Sequence, residues 1–213
     1  MAEHRANFTI YGRLNAGNRE IRLIHLYPSD TDDDVVRIDL STVSLDANPD
    51  YEAISYCWGE PTNTVDILVG SELLRITASL HGALRCLRSS DDVVVMWADA
   101  VCINQADLSE RASQVRIMGD IYSNAAEVRV WLGEEDEQTE LGLQTMGYMQ
   151  DGIDCWTQTN RFREQYFPDM DDAQYYDFGI ASAQAIFSVV SRPWFERLWV
   201  RFLRSQLDLW RWL

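Results

Sequence analysis

Apolar and polar residues alternate along the front of the chain. Two runs show this alternation, residues 20–26 and 35–40, and each predicts a β-strand with one face in a core. The acidic stretch between them is rich in turn-forming residues and is typical of a solvated loop. We therefore expect residues 1–50 to form an N-terminal β hairpin-like extension ahead of the main domain.

Strand-like and helix-like runs alternate through the middle of the chain. β-rich runs predict strands at 53–58, 65–69, 72–76, 93–97 and 127–132. Gly70 and Ser71 join the second and third of these as a two-residue hairpin. The run at 93–97 is apolar without interruption, which is typical of a parallel strand buried on both faces. The order predicts an α/β fold with a mostly parallel sheet flanked by helices.

Capping residues and apolar spacing predict the helices. Thr77 can cap a helix whose apolar residues recur at helical intervals, namely Leu80, Ala83, Leu84 and Leu87. Asp107 and Glu110 have the spacing of a capping box at the start of a second helix. Behind these, residues 137–150 and 171–190 are also expected to be helical. The C-terminal part of the chain is therefore predicted to be helical.

Composition narrows the class of protein. The chain has 213 residues and a formal net charge of -16. This length suits a single domain, and an acidic surface repels phosphate backbones, so nucleic acid is not an expected partner. All 18 basic residues are arginine. The absence of lysine excludes Schiff-base chemistry and a phosphate-binding P-loop.

Neither a metal site nor a membrane span is expected. The chain has four cysteines and three histidines, without a C-x-x-C pair, so local metal-ligand spacing is missing. No apolar run approaches about 18 residues, and no signal peptide opens the chain. These features predict a cytoplasmic protein with free thiols.

Ordered sequence blocks run through residues 51–200. They are YEAISYCWG at 51–59, ITASL at 76–80, WADAVCINQ at 97–105, ER at 110–111, VWLG at 130–133 and RPWFERLWV at 192–200. In this order they resemble the blocks of the fungal heterokaryon incompatibility (HET) domain. Several blocks in the expected order argue against chance similarity, whereas any one alone would be weak.

The resemblance implies a role in fungal self/non-self recognition, in which domains of this kind trigger cell death after incompatible fusion. The family also resembles Toll/interleukin-1 receptor (TIR) domains, which implies a flavodoxin-like sheet. Some TIR domains cleave the nicotinamide–ribose bond of NAD, so NAD is the implied substrate and no bound cofactor is expected. The implied partner is a second copy of the chain or another incompatibility protein. A non-catalytic homotypic interaction module is the alternative.

The end of the chain departs from the family pattern. In the family, the last block usually continues into a Gln-Glu pair, but Phe202 and Leu203 fall at those places here. Residues 201–213 are therefore expected to be a divergent tail from a truncated product or a shifted reading frame. If the missing Glu is the catalytic one, the chain is a non-catalytic relative. Membrane binding by the arginine- and tryptophan-rich tail is the less favoured interpretation.

Three carboxylates follow predicted strands. In an open α/β sheet, ligands lie beyond the carboxyl ends of the strands, and this rule selects Glu60, Asp99 and Glu134. A carboxylate placed there can stabilise the positive charge that builds on ribose when the bond to nicotinamide breaks. Asp99 is the first catalytic candidate, and its alternative role is to stabilise the turn that follows it. Glu60 and Glu134 are expected to be solvated.

Other motif residues are candidates for the same chemistry. Glu110 is the second catalytic candidate, with helix capping as its alternative role. Five residues are candidates for binding the substrate: Ser55, Trp58, Asn104, Gln105 and Arg111. Trp58 could stack a nicotinamide or adenine ring instead of packing in the core, and Arg111 could bind phosphate instead of a neighbouring carboxylate. For Asn104 and Gln105, the alternative is to brace their own loop.

Overall fold

The chain forms two compact units, Met1–Trp131 and Leu132–Leu213. The structure is a computed structural model that describes residues 10–31, 35–151 and 169–196. The described part of the first unit holds a β-sheet with its helices, and that of the second unit holds two long helices. The family-like blocks are therefore divided between the two units.

One sheet of seven strands organises the described part of the first unit. The strands are β1 (Glu20–Leu26), β2 (Arg37–Ser44), β3 (Glu52–Tyr56), β4 (Thr64–Val69), β5 (Glu72–Thr77), β6 (Val94–Trp97) and β7 (Glu127–Trp131). Their order across the sheet is β5-β4-β2-β1-β6-β3-β7. Each lies where the hydrophobic pattern predicts a strand, and β2 extends further than predicted.

The directions of the strands make the sheet mixed. β6, β3 and β7 run parallel to one another, and so do β2 and β4. By contrast, β1 is antiparallel to both of its neighbours, and β5 is antiparallel to β4. The α/β class is confirmed, but three of the six pairs in the described sheet are antiparallel, so "mostly parallel" holds only in part. Two of the antiparallel pairs, β1–β2 and β4–β5, arise because consecutive strands are connected without a crossover helix, and the third joins β1 to β6 from later in the chain.

The N-terminal segment supplies the centre of this sheet. β1 lies between β2 and β6, with Ile24 opposite Met96. The alternation along residues 20–26 predicts one solvent-exposed face, yet Arg22 is only 2% exposed. That expectation is wrong for Arg22, because Glu110 and the carbonyl oxygens of Cys102 and Gly12 accept hydrogen bonds from its guanidinium, which lets the charge be buried. The first 50 residues thus contribute strands to the same sheet as the family-like segment.

Caps begin the helices as the sequence predicts. Three helices of the first unit lie wholly within the described residues, α1 (Ala78–Leu87), α2 (Asp99–Cys102) and α3 (Leu108–Asn124). The Oγ1 of Thr77 accepts a hydrogen bond from the backbone N of Leu80 at 3.4 Å, which caps α1. The Oδ1 of Asp107 accepts hydrogen bonds from the backbone N of Ser109 and of Glu110, which caps α3. Both helix starts are therefore set locally by side chains.

Aromatic side chains fasten α3 to the sheet. The hydroxyl of Tyr51 donates to the carbonyl O of Ile121 at 2.5 Å, and that of Tyr122 donates to the carbonyl O of Ile54 at 3.2 Å. The ring of Tyr122 also meets the buried Trp97 edge to face, with centroids 5.5 Å apart. Such an aromatic pair adds about 0.5–1.5 kcal/mol beyond its area burial. These contacts fix how α3 lies on β3 and β6.

The second unit contains two helices that pack on each other in the described residues. They are α4 (Thr139–Asp151) and α5 (Asp172–Val190). Asp171 and Gln174 form a reciprocal capping box at the start of α5, with hydrogen bonds of 2.8 and 3.0 Å. A 3-10 turn at Pro193–Glu196 follows α5. The predicted divergent tail at 201–213 lies outside the described residues.

Candidate functional site

The carboxyl ends of β3 and β6 bring Trp58 and Asp99 together. The two strands are parallel neighbours, so the chain leaves both at the same edge of the sheet. Trp58 follows β3, and Asp99 is the first residue of α2. The indole Nε1 of Trp58 donates to both carboxylate oxygens of Asp99 at 3.1 Å. Two candidates that lie 41 positions apart in the sequence are therefore in direct contact.

Tyr56 is the third side chain near this carboxylate. Burial within β3 and the negative charge of Asp99 raise the pKa of the Tyr56 hydroxyl well above its ordinary value. The hydroxyl therefore keeps its proton and remains a hydrogen-bond donor. Tyr56 is not among the candidates that the sequence motifs predict. The available signal is its spacing, because residues two apart in an extended segment lie on the same side of the chain.

An open cleft of about 300 Å³ lies beside this pair. Its aromatic and polar lining includes Tyr11, Trp58, Thr64, Thr77, Asn104 and Gln105. Gly59 has a positive φ of 75°, which lets the chain turn sharply after Trp58 at the rim of the cleft. Three of the predicted binding residues, Trp58, Asn104 and Gln105, are thus brought to one cavity.

The loop after α2 is braced by its own amide side chains. The Nε2 of Gln105 donates to the carbonyl O of Asp99 at 2.8 Å. The Oδ1 of Asn104 accepts from the backbone N of Ala106 at 3.2 Å, which forms an Asx turn. Each amide therefore uses one of its two ends. Within the described residues, Asn104 Nδ2 and Gln105 Oε1 have no hydrogen-bond partner.

Glu110 belongs to a buried ion pair. Arg22 Nη1 and Nη2 donate to its two carboxylate oxygens at 2.6 and 3.0 Å, and the two side chains are 2% and 9% exposed. Glu110 Oε1 also accepts from the backbone N of Asn104 at 2.7 Å. In a capping box this carboxylate would bond the backbone of Asp107 instead. The spacing thus predicts where α3 begins but not what Glu110 binds.

Arg22 joins the N-terminal segment to the cleft. Its guanidinium also donates to the carbonyl O of Cys102 at 2.9 Å and to that of Gly12. It lies over the ring of Tyr11, 4.9 Å from the ring centroid. Burial raises the pKa of the Tyr11 hydroxyl to about 12. Sequence reasoning missed both residues, because an arginine in an alternating strand resembles a solvent-facing one and Tyr11 precedes the motifs.

Other candidates are not among the described residues that line the cleft. Ser55 is buried within β3. Arg111 is exposed on α3, and Glu60 is exposed in the turn after β3. Glu134 belongs to the second unit, where it is exposed. Asp99 and Glu110 are not among the described lining residues either, and Asp99 adjoins the cleft through its contact with Trp58. The cleft therefore gathers three of the candidates, Trp58, Asn104 and Gln105.

The thiol of Cys102 is held as a neutral group. It is fully buried, and the backbone N of Ala98 donates to its Sγ at 3.5 Å. Burial raises the pKa of this thiol to about 12. A thiol that keeps its proton is a poor nucleophile, so the Cys102 thiol is not a candidate for catalysis.

The described residues, 10–31, 35–151 and 169–196, contain neither a candidate metal cluster nor a helix that could span a membrane. No group of three or more His, Cys, Asp or Glu side chains there could hold a metal ion. No helix there is long and apolar enough to cross a membrane.

The chain is similar to proteins of one known family. The family model described as heterokaryon incompatibility protein (HET) matches residues 51–201. Over 215 aligned residues, the chain is 31% identical to heterokaryon incompatibility protein 6, OR allele, of Neurospora crassa. The alignment covers 87% of this chain and 32% of the relative, so the chain spans about a third of that protein's length. No solved structure matches the chain.

Proposed function

Because this chain belongs to the heterokaryon incompatibility (HET) family, we propose that it is a cell-death effector or signalling module of fungal self/non-self recognition. The name of the Neurospora relative, an allele of a heterokaryon incompatibility protein, supports this role. In the enzymatic form of the proposal, the cleft beside Asp99 hydrolyses NAD in the fungal cytoplasm. Its partner is a second copy of the chain or another incompatibility protein.

One observation carries the enzymatic proposal, namely that Trp58, which lines a cleft of aromatic and amide groups, also binds the carboxylate of Asp99 next to that cleft. The indole of Trp58 holds Asp99, and both Trp58 and Ala100, the residue after Asp99, line the cleft. A fixed carboxylate suits a glycosidic bond that breaks through an oxocarbenium-like state, because it opposes the charge that develops on the sugar.

The proposed reaction balances with water as the co-reactant. The bond between ribose C1′ and the nicotinamide nitrogen breaks, and its electron pair goes to nicotinamide. The water oxygen bonds to C1′ and one proton is released, which gives nicotinamide and ADP-ribose. Asp99 opposes the positive charge on the ribose and accepts the proton from water.

Release of nicotinamide from NAD tests this proposal directly. The purified full chain should release nicotinamide, and Asp99→Asn should lower the rate by about 100-fold or more, because it keeps the size of the side chain and removes its charge. Asp91→Asn is the matched control, since Asp91 is exposed in the loop that precedes β6 at the other end of the strand. No release by the wild type, or equal rates in wild type and Asp99→Asn, contradicts the enzymatic form.

A second candidate, a non-catalytic homotypic interaction module, is favoured by a different observation. The motif side chains bond one another: Trp58 to Asp99, and Gln105 to the backbone of Asp99. A network of this kind also suits a rigid surface that signals by assembly. Light scattering that rises with protein concentration, in a sample that releases no nicotinamide, would support this candidate over the enzyme.

A further inference from the structure

Two aromatic rings line the cleft from different parts of the chain. Tyr11 belongs to the N-terminal segment, ahead of residues 51–201 that the family model matches, and Trp58 follows β3. In the described residues the two rings make no ring contact with each other. Both rings therefore border the cleft without filling it.

The ring of Tyr11 is held in position before any ligand arrives. The guanidinium of Arg22 lies over it, 4.9 Å from the ring centroid. Arg22 is itself fixed by Glu110 and by the carbonyl oxygens of Gly12 and Cys102. A ring fixed in this way loses little conformational entropy when a ligand stacks on it.

The amide side chains of the cleft offer one donor and one acceptor. Asn104 Nδ2 is a donor and Gln105 Oε1 is an acceptor, and the opposite ends of the two amides are bonded to Ala106 and to Asp99. A donor and an acceptor on two side chains that line one cleft can bind a planar group that carries an acceptor beside an NH₂ group.

We propose that this cleft binds a flat heteroaromatic ring against Tyr11 and Trp58, and that Asn104 and Gln105 read a donor–acceptor edge of that ring. Asn104 Nδ2 donates to the ring's acceptor, and Gln105 Oε1 accepts from its NH₂ group. The inference rests on the proposed function for the choice of ligand, because NAD carries two such edges. They are the carboxamide of nicotinamide and the N7 and N6 edge of adenine.

The size of the cleft agrees with one ring rather than a whole dinucleotide. Ligand pockets span about 300–1,000 Å³, and this cleft, at about 300 Å³, lies at the lower end of that range. One end of NAD therefore occupies the cleft, and the other end lies outside it.

Binding of nicotinamide and of adenosine monophosphate to the full chain, measured separately by saturation-transfer NMR, distinguishes the two ends. Binding of nicotinamide alone assigns the carboxamide edge, and binding of adenosine monophosphate alone assigns the adenine edge. Binding of both supports a cleft that reads the shared edge. The proposal is overturned if neither compound binds at millimolar concentration.

Two variants test the named residues. Tyr11→Leu removes one stacking surface and should raise the Kd by about tenfold. Asn104→Asp keeps the Oδ1 that bonds Ala106 and replaces the donor with an acceptor, so it should raise the Kd to a similar extent, about tenfold. Tyr27→Leu is the control, because Tyr27 is exposed and is not among the described residues that line the cleft. If Tyr11→Leu does not fold, the Kd of Asn104→Asp alone tests the proposal.

Failure of this inference can be told apart from failure of the proposed function. Ring binding that depends on Tyr11 and Asn104, in a protein that releases no nicotinamide from NAD, supports this inference and rejects the enzymatic function. Conversely, ring binding that is unchanged in folded Asn104→Asp and in folded Tyr11→Leu overturns the inference, even if NAD is hydrolysed.

Discussion

The guanidinium of Arg22 binds both carboxylate oxygens of Glu110 inside the protein, across 88 positions of the sequence. The pair also holds backbone, because Arg22 donates to the carbonyl O of Cys102 and Glu110 accepts from the backbone N of Asn104. The removal of two charges from water is costly, and a buried pair is tolerated when its remaining hydrogen-bonding atoms are also bonded. Strand β1 and one wall of the cleft are therefore fixed by the same two side chains.

Removal of one member of this pair should destabilise the protein strongly. We predict that Arg22→Met or Glu110→Leu lowers the free energy of unfolding by about 3–5 kcal/mol, because the other charge is left buried and unpaired. Urea unfolding followed by tryptophan fluorescence measures the change. Arg19→Met is the control, since the ion pairs of Arg19 with Asp46 and Asp120 are exposed and should contribute less than about 1 kcal/mol.

The double variant Arg22→Met with Glu110→Leu separates charge burial from packing. Its free energy of unfolding should be higher than that of either single variant, because no unpaired charge remains in the interior. Strictly additive losses in the double variant would show that the two side chains act independently, against the ion pair as the source of the effect.

If Asp99 acts in the proposed function, Asp99→Ala should abolish cell killing and have little effect on the stability of the fold. Its contact with Trp58 is made at the surface, where the indole is 41% exposed and water can replace the carboxylate. Loss of this hydrogen bond should cost about 0.5–1.5 kcal/mol. Expression in fungal cells and a thermal melt of the purified variant measure the two effects. A large fall in Tm would indicate instead that Asp99 mainly stabilises the fold.

Alkaline pH should weaken the fold through buried groups that must stay neutral. Burial raises the pKa of the Cys102 thiol from 9.0 to about 12, and that of the Tyr51 hydroxyl from 10.0 to about 12. Above pH 9 the unfolded thiol loses its proton while the folded thiol keeps it, so the unfolded state binds fewer protons and stability falls. The contribution of the neutral Cys102 thiol to the free energy of unfolding is full below pH 9 and is lost as the pH rises towards 12.

Urea midpoints between about pH 8 and about pH 11 measure this loss. Cys102→Ala should be less stable than the wild type at pH 8, because the substitution leaves a small cavity. Its urea midpoint should nevertheless fall less steeply between pH 9, the ordinary pKa of a thiol, and pH 10, the ordinary pKa of tyrosine, because the variant has no Cys102 thiol to ionise. A wild-type midpoint that rises with pH in this range would contradict the direction of both pKa shifts.

The strands and helix starts could be predicted from the sequence because their signals are local. The hairpin at Gly70 and Ser71, the Thr77 cap and the Asp107 cap each depend on residues within one turn of the chain. The meeting of Trp58 with Asp99 could be anticipated as well, since the ends of parallel strands share one edge of a sheet.

The place of β1 could not be predicted in the same way. Its insertion between β2 and β6 depends on pairing between residues far apart, such as Ile24 with Met96, and alternation along one strand says nothing about its neighbours. The same limit applies to Arg22 and Tyr11. Arg22 binds Glu110, which is 88 positions away, and Tyr11 contacts Arg22 within the N-terminal segment.

In the second unit, Gly142 of α4 should tolerate no larger residue. A Cβ there would lie 2.7 Å from the carbonyl O of Ala185 and 2.7 Å from Cγ2 of Val189, both on α5. Gly142→Ala should therefore lower the free energy of unfolding by about 1–3 kcal/mol, although alanine favours helix more than glycine does. Gly147→Ala is the matched control in the same helix, where nothing lies within 4 Å of the new Cβ, and it should stabilise α4 by up to about 1 kcal/mol. Thermal unfolding followed by circular dichroism compares the two variants, and equal gains in Tm would show that α4 and α5 do not pack this closely.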